Sequence, residues 1–254
     1  TRLADAAEEL DRATLRVLLR QPVDLDAAQV DGMTALLWAA YHDDLELVQQ
    51  LVGAGADVEA ANRYGVTPLS LACTNANAAM VEHLLEAEAD PNTVLPGGES
   101  ALMTAARTGS IGAVKALLES GADVRSQESR RRQTALMWAA AEGHVDVLKA
   151  LLEAGADLRT ALDSGFTPLL FAVREGRMEV VRALLEAGAD VNETTPLEPI
   201  ERERPLGGGR SIRPGSSPLL VAVTSGHFEL AAQLLDAGAD PNAAVPGYTV
   251  LHML

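Results

Sequence analysis

The sequence predicts an all-α protein built from repeated pairs of helices. Aromatic residues make up only 3% of its 254 residues, and the apolar share of 48% consists mostly of alanine, leucine and valine. This composition is typical of closely packed helices rather than of β-sandwiches or barrels. Two short motifs also recur at a nearly constant spacing, which indicates a repeat architecture.

The first recurrent motif is Gly-Ala-Asp or a near variant. It begins at positions 55, 88, 121, 155, 188 and 238, in steps of 33, 33, 34, 33 and 50 residues. The second motif is Thr or Ser followed by Pro, Ala or Val and then Leu, beginning at positions 34, 67, 100, 134, 167, 217 and 249. Both motifs keep the same register, and the longest step equals one period of 33 plus 17 inserted residues.

The copy that begins at Thr167 shows how one unit folds. The Thr167 hydroxyl suits a helix N-cap, and Pro168 suits the first helical position, where no backbone hydrogen bond is lost. Gly176 can adopt the positive φ that ends this helix. A second helix is predicted from about Met178 until Gly188, and the remaining residues turn back as a hairpin loop.

These motifs resemble the ankyrin repeat family, whose helix-loop-helix-hairpin unit carries a Thr-Pro-Leu-His start and a Gly-Ala-Asp end. The resemblance covers essentially the whole chain, with seven copies in register. It implies a solenoid, because one such unit cannot bury its own apolar face and must stack on its neighbours.

The predicted organisation is a single ankyrin repeat domain over residues 1–254. Its predicted parts are an N-terminal capping unit (1–28), repeats at 29–61, 62–94, 95–128, 129–161, 162–211 and 212–243, an inserted loop at about 194–213 within the fifth repeat, and the start of a further, truncated repeat at 244–254. We expect the natural chain to continue beyond Leu254.

Two departures from the repeat pattern carry information. Glu88 stands where the other copies have glycine, so a non-glycine residue must adopt the strained C-cap conformation. Arg132 likewise replaces a hairpin glycine, in the repeat that has 34 residues. The run Arg130-Arg131-Arg132 therefore predicts a rearranged fingertip, the name used here for the tip of a hairpin loop.

Catalytic and ligand-binding motifs are missing from the sequence. It contains no zinc-binding Cys or His pairs, no nucleophile elbow and no phosphate-binding loop. We therefore predict a protein that is not an enzyme, with no catalytic residues, cofactor or metal. His144, His227 and His252 fit structural hydrogen-bonding positions, and Cys73 fits a buried slot for a small residue. The Asn192 glycosylation sequon is better explained by the ordinary asparagine of the repeat.

The charge balance excludes one class of partner. The chain has 36 acidic and 20 basic residues, a net charge of -16, which argues against nucleic-acid binding. No apolar run reaches the roughly 20 residues of a membrane span. We expect a monomer in isolation. The compartment stays open between cytoplasm and periplasm or secretion, and the Ala and Arg bias indicates a GC-rich bacterial source.

The resemblance implies that fingertips and the exposed ends of the first helices line a concave face where partners bind. The residues predicted to contact a partner are Tyr41, His42, Arg63, Tyr64, Arg107, Arg131, Arg132, Phe166, Arg174 and Tyr248. Tyrosine and arginine often dominate interface energies. In the alternative interpretation, Phe166 and Tyr248 pack under their own hairpins. Trp38 and Trp138 are interpreted as core residues.

The predicted function is a non-catalytic scaffold for protein–protein interaction. The arginines among the predicted contacts favour an acidic or mixed-charge protein partner. Three alternatives stay open: the recognition or regulatory arm of a longer polypeptide, a small-molecule binder, and a structural spacer. A small-molecule site would require a deep pocket, which shallow repeat grooves rarely provide.

Overall fold

The computed structural model describes residues 2–196 and 214–242. Within these ranges there are fourteen helices and no strand beyond an isolated bridge between Val94 and Ser100, which confirms the all-α class. Most of the predicted insertion, and the C-terminal segment with Tyr248 and His252, lie outside the described residues.

The chain divides into two compact units, with unit 1 ending at Arg130 and unit 2 beginning at Arg131. The helices of unit 1 are α1 (Arg2–Glu8), α2 (Arg12–Leu18), α3 (Ala35–Tyr41), α4 (Leu45–Ala54), α5 (Pro68–Thr74), α6 (Ala78–Glu86), α7 (Ala101–Thr108) and α8 (Ile111–Glu119). Those of unit 2 are α9 (Ala135–Glu142), α10 (Val145–Glu153), α11 (Pro168–Arg174), α12 (Met178–Glu186), α13 (Pro218–Ser225) and α14 (Phe228–Asp236). The assignment of all residues to one domain stays a prediction.

Within each unit, equivalent helices of successive repeats pack side by side. In unit 1 the first helices run in the order α1, α3, α5 and α7, while α4, α6 and α8 form a second layer. Unit 2 repeats the arrangement with α9, α11 and α13 in one layer and α10 and α12 in the other. Alanines such as Ala39, Ala72 and Ala105 are fully buried between helices, and their small side chains allow close approach.

A hydroxyl group starts the first helix of each complete repeat. The N-cap side chain accepts a hydrogen bond from the backbone N–H three residues later, at 3.2 to 3.3 Å. The N-cap residues are Thr34, Thr67, Ser100, Thr134, Thr167 and Ser217. The role predicted for Thr167 is thus confirmed, and the motif spacing fixes where each helix begins.

Glu88 and Arg132, which stand where other repeats have glycine, both adopt the left-handed backbone conformation. Glu88 has φ +68°, compared with +98° at Gly55 and +91° at Gly121 in the equivalent positions. Arg132 has φ +62°. A side chain in this region costs about 1 kcal/mol, so both repeats carry a small local strain.

A repeated hydrogen bond joins the hairpins of neighbouring repeats. The Asn92 side-chain carbonyl accepts the Asp123 N–H at 2.8 Å, and Asn192 accepts the Asp240 N–H at the same distance. The first pair lies 31 residues apart and the second 48, so 17 extra residues leave the contact unchanged. The Asn192 side-chain amide also donates to a backbone carbonyl at 3.2 Å, which supports its interpretation as a structural residue.

Two further residues that the sequence assigns to the scaffold have that role in the structure. Cys73 is fully buried, and burial raises the pKa of its thiol to about 12, so it is an inert core residue. His227 donates from Nε2 to the Arg174 carbonyl at 2.9 Å, which ties α14 to the preceding repeat.

Candidate protein-binding surface

An aromatic cluster of Trp38, Tyr41 and His42 lies at the C-terminal end of α3 in unit 1. Tyr41, which is 57% exposed, packs edge-on against Trp38 with ring centroids 5.5 Å apart and planes at 88°. His42 stacks on Trp38 at 5.7 Å with the planes only 22° apart. Residues three and four positions apart share one helix face, so this spacing brings the rings together.

His42 has a structural role within this cluster. It is half-buried, and its Nε2 donates to the Glu8 carbonyl at 3.0 Å, which connects α3 to α1. The ring thus lies between the capping helix and Trp38, where it supports the indole. Tyr41 therefore presents most of the exposed surface of the cluster.

Gln29 fixes the position of the Trp38 indole. The Trp38 Nε1 donates to the Gln29 Oε1 at 2.8 Å. The other end of the same amide donates to Asp5 Oδ1 at 2.9 Å and to Glu8 Oε2 at 2.7 Å. One side chain thus joins α1, the first hairpin and α3, and it places two carboxylates beside the aromatic cluster.

The first two fingertips, residues 29–33 and 62–66, are stacked on each other. A Cβ atom added at Gly32 would lie 2.9 Å from the Asn62 Cα, so the backbones touch and only glycine fits. Arg63 Nη2 donates to the Val30 carbonyl at 2.8 Å, which also connects the two hairpins.

The side chains at these fingertips point to solvent. Val30 is 97% exposed and Tyr64 63%, and the Arg63 guanidinium lies 6.0 Å from the Tyr64 ring centroid. Arg63 contacts both neighbours, because its guanidinium donates to the Val30 carbonyl and lies near the Tyr64 ring. The hairpin backbone beneath them is fixed by the close approach at Gly32 and by the Arg63 hydrogen bond.

Arg107 also lies in unit 1, but its charge is compensated within its own repeat. Its Nη2 is 3.1 Å from Glu99 Oε1, and the Thr104 hydroxyl donates to the same oxygen at 3.0 Å. Arg107 occupies the position equivalent to Tyr41, seven residues after the N-cap. An ion pair with a neighbour weakens its attraction for an acidic partner.

Phe166 in unit 2 was predicted to contact a partner, but the structure buries it. The side chain is only 6% exposed and packs edge-on against Phe171 at 5.3 Å. The Arg174 guanidinium lies over both rings, 5.2 Å from Phe166 and 5.0 Å from Phe171. Phe166 is therefore buried under its own hairpin because a second ring and an arginine cover it.

Within the described residues, the other predicted contacts of unit 2 are arginines on its surface. Arg131 and Arg132 are exposed, and Arg132 Nη1 lies 3.7 Å from Asp163 Oδ1. Arg174 Nε donates to the adjacent Glu175 at 2.8 Å. The surface therefore mixes arginine with carboxylate, and the predicted contact Tyr248 lies outside the described residues.

The interpretation of Trp38 and Trp138 as core residues is wrong. Both side chains are half-buried, whereas Phe171 at the equivalent position is buried. This position lies at the edge of the first helix, where the neighbouring side chains decide how much of the residue is covered. For Trp38 the sequence did contain a signal of a surface cluster, because Tyr41 and His42 follow it three and four residues later on the same helix face.

Two other kinds of feature are absent from the described ranges. No group of three His, Cys, Asp or Glu side chains there could hold a metal ion. None of the helices assigned there combines the length and the apolar character that crossing a bilayer requires.

Comparison with known proteins identifies the family. A model for ankyrin repeats matches residues 3–94, 72–161 and 102–195, and a single ankyrin repeat model matches residues 215–244. No curated protein matched the sequence. Ankyrin repeats generally mediate protein–protein interaction and are typically not catalytic. The family models cover most of the chain, which therefore belongs to the ankyrin repeat family.

Proposed function

We propose that the chain is a non-catalytic recognition module, and that unit 1 binds a protein segment across its aromatic cluster and its first two fingertips. The observation that supports this most is the exposure of Val30, Tyr41 and Tyr64 on a framework fixed by hydrogen bonds. Tyrosine, tryptophan and arginine are the residues that most often dominate interface energies, and this surface offers all three.

Preorganisation strengthens the proposal. The Trp38 indole is oriented by Gln29, and His42 is connected to α1 through the Glu8 carbonyl. Side chains that are already ordered lose little conformational entropy when a partner arrives, so more of the contact energy remains as affinity. A spacer with no binding role would not require these aromatic side chains to be held in place.

The proposed partner has mixed charge. Arg63 offers a positive group at the fingertips, while Asp5 and Glu8 lie beside the aromatic cluster. Opposite charges placed at different points along an interface set the register of the bound segment. The bacterial source remains a prediction from composition.

The test is selection of binding segments from a displayed library of protein fragments, followed by affinity measurements on the full chain. Tyr64→Ala should weaken binding of a selected segment by about 1 to 3 kcal/mol. Phe228→Ala is the matched control, because Phe228 is an aromatic with nearly the same exposure, 61% against 63%. The proposal fails if Tyr64→Ala binds like the unmodified chain, or if both variants lose affinity equally.

A further inference from the structure

We propose that the aromatic cluster of unit 1 is a subsite for a cationic side chain, an arginine or lysine of the bound protein segment. This deepens the proposed function and rests on it. Three observations support it: an internal example of the same contact in unit 2, the carboxylates beside the cluster, and the rigid placement of the indole.

The chain itself shows how an arginine occupies this position. Phe171 lies four residues after the N-cap of its repeat, and Arg174, seven residues after it, covers the ring at 5.0 Å. In the repeat that begins at Thr34, the corresponding residues are Trp38 and Tyr41. The internal arginine is thus replaced by a tyrosine, and the ring beside it is a half-buried tryptophan, whose π-system attracts a cation more strongly than that of phenylalanine.

The electrostatic surroundings favour a positive ligand. Asp5 and Glu8 each accept one hydrogen bond from Gln29, and an ionised carboxylate retains further acceptor capacity. Residues 1–44 contain nine carboxylates and four arginines. One of these arginines, Arg12, lies 2.6 Å from Asp44 and is engaged by it. An acidic segment would be repelled here, whereas a guanidinium or ammonium would find both a ring face and a carboxylate.

The geometry of the cluster also limits what can bind. His42 is stacked on the indole and Tyr41 stands perpendicular to it, so the cluster is a small angular surface rather than a long apolar groove. A single planar or tetrahedral cation matches this surface better than an extended apolar helix does. The cluster therefore fits one basic side chain of the bound segment.

The test uses a chain with Trp138→Phe, which leaves Trp38 as the single tryptophan. The indole N–H signal of Trp38 is followed by NMR during titration with N-acetyl-arginine methylamide, and in parallel with its uncharged counterpart N-acetyl-citrulline methylamide. We expect a saturable shift with the arginine probe in the millimolar range, and a several-fold weaker response with the citrulline probe.

Charge-removing variants make the test specific. Asp5→Asn with Glu8→Gln keeps the acceptors for Gln29 but removes both charges, and should weaken the arginine probe about two- to fivefold. Glu82→Gln with Glu86→Gln makes the same change in net charge on the exposed side of α6 and should have little effect. Circular dichroism verifies that each variant is folded.

Equal responses to the two probes, or no saturable shift with arginine, would overturn the proposal. Equal effects of the two charge-removing pairs would also overturn it, since attraction would then be a property of net charge. The proposed function is tested separately, because loss of affinity in Tyr64→Ala does not depend on whether the aromatic cluster prefers a cation.

Discussion

In unit 1 the ring four residues after the N-cap, Trp38, is half-buried beside an exposed Tyr41, whereas in unit 2 the equivalent Phe171 is 5% exposed beneath Arg174. The backbone positions are the same in the two repeats. What differs is the ring itself and the side chains around it: Arg174 and Phe166 pack on Phe171, whereas Tyr41, three positions later on the same helix face, packs on Trp38. The position in the repeat therefore fixes where the Cα atom lies, and the surrounding side chains decide whether the residue is buried in the core or exposed at the surface.

The largest effect that follows from this comparison concerns stability. Phe171→Ala removes a buried ring and should lower the free energy of unfolding by about 3 to 5 kcal/mol. Trp38→Ala removes a half-buried ring and should cost about 1 to 2 kcal/mol, although tryptophan is larger. Chemical denaturation of both variants gives the two values. Equal losses would show that burial is not what separates the two repeats.

The next prediction concerns the pH dependence of stability, which should differ between the two units. Ser100 Oγ in unit 1 faces Ser126 Oγ at 3.4 Å, but the equivalent partner of Thr167 in unit 2 is the carboxylate of Glu193. Burial raises the pKa of Glu193 from 4.5 to about 7, opposed by the Thr167 hydrogen bond and aided by the charge of Asp190. The neutral carboxyl therefore favours the folded state below about pH 4.5, and this contribution is lost as the pH rises through 7.

Glu193→Gln should remove this pH dependence. Between pH 4 and pH 8 the unmodified chain should lose about 1 to 2 kcal/mol relative to the variant, a value already reduced for partial solvent screening. Denaturation midpoints at several pH values give the difference. Glu153→Gln, a change at an exposed helical carboxylate, is the control and should follow the unmodified chain. A parallel pH profile for Glu193→Gln would contradict the raised pKa.

A smaller effect concerns the strained cap of unit 1. Glu88→Gly should raise the free energy of unfolding by about 1 kcal/mol, because glycine adopts φ +68° without the cost of a side chain. Gly121→Ala is the mirror change: φ is +91° and no atom lies within 4 Å of an added Cβ, so only the backbone cost applies. Thermal melting of both variants should show opposite shifts; shifts of the same sign would contradict the assigned strain.

Much of the fold could be predicted because its determinants are local. A hydroxyl N-cap such as Thr167 and a positive-φ position such as 88 depend on a few adjacent residues, and the motif register places them. The register also assigns Asn192 to the ordinary asparagine position of the repeat, and the structure gives it the same hydrogen bond to a neighbouring hairpin that Asn92 makes.

The binding surface was harder to predict because its determinants are long-range. The hydrogen bond of Gln29 to Asp5 joins residues 24 apart in a way that no motif marks. The burial of Phe166 depends on Phe171 and Arg174 meeting above the hairpin, which sequence spacing alone does not establish. Aromatic residues near a fingertip can therefore be found from the sequence, but whether they face a partner or the core cannot.

The most direct test of the account changes unit 1 into the arrangement of unit 2. Tyr41→Arg places an arginine where Arg174 stands in its own repeat, so that it can cover Trp38 as Arg174 covers Phe171. Val17→Arg, at a residue with the same 57% exposure as Tyr41, adds an equal charge on α2. We expect Tyr41→Arg to keep its stability but to bind a selected segment at least about tenfold more weakly, while Val17→Arg binds normally. Undiminished binding by Tyr41→Arg would contradict this expectation.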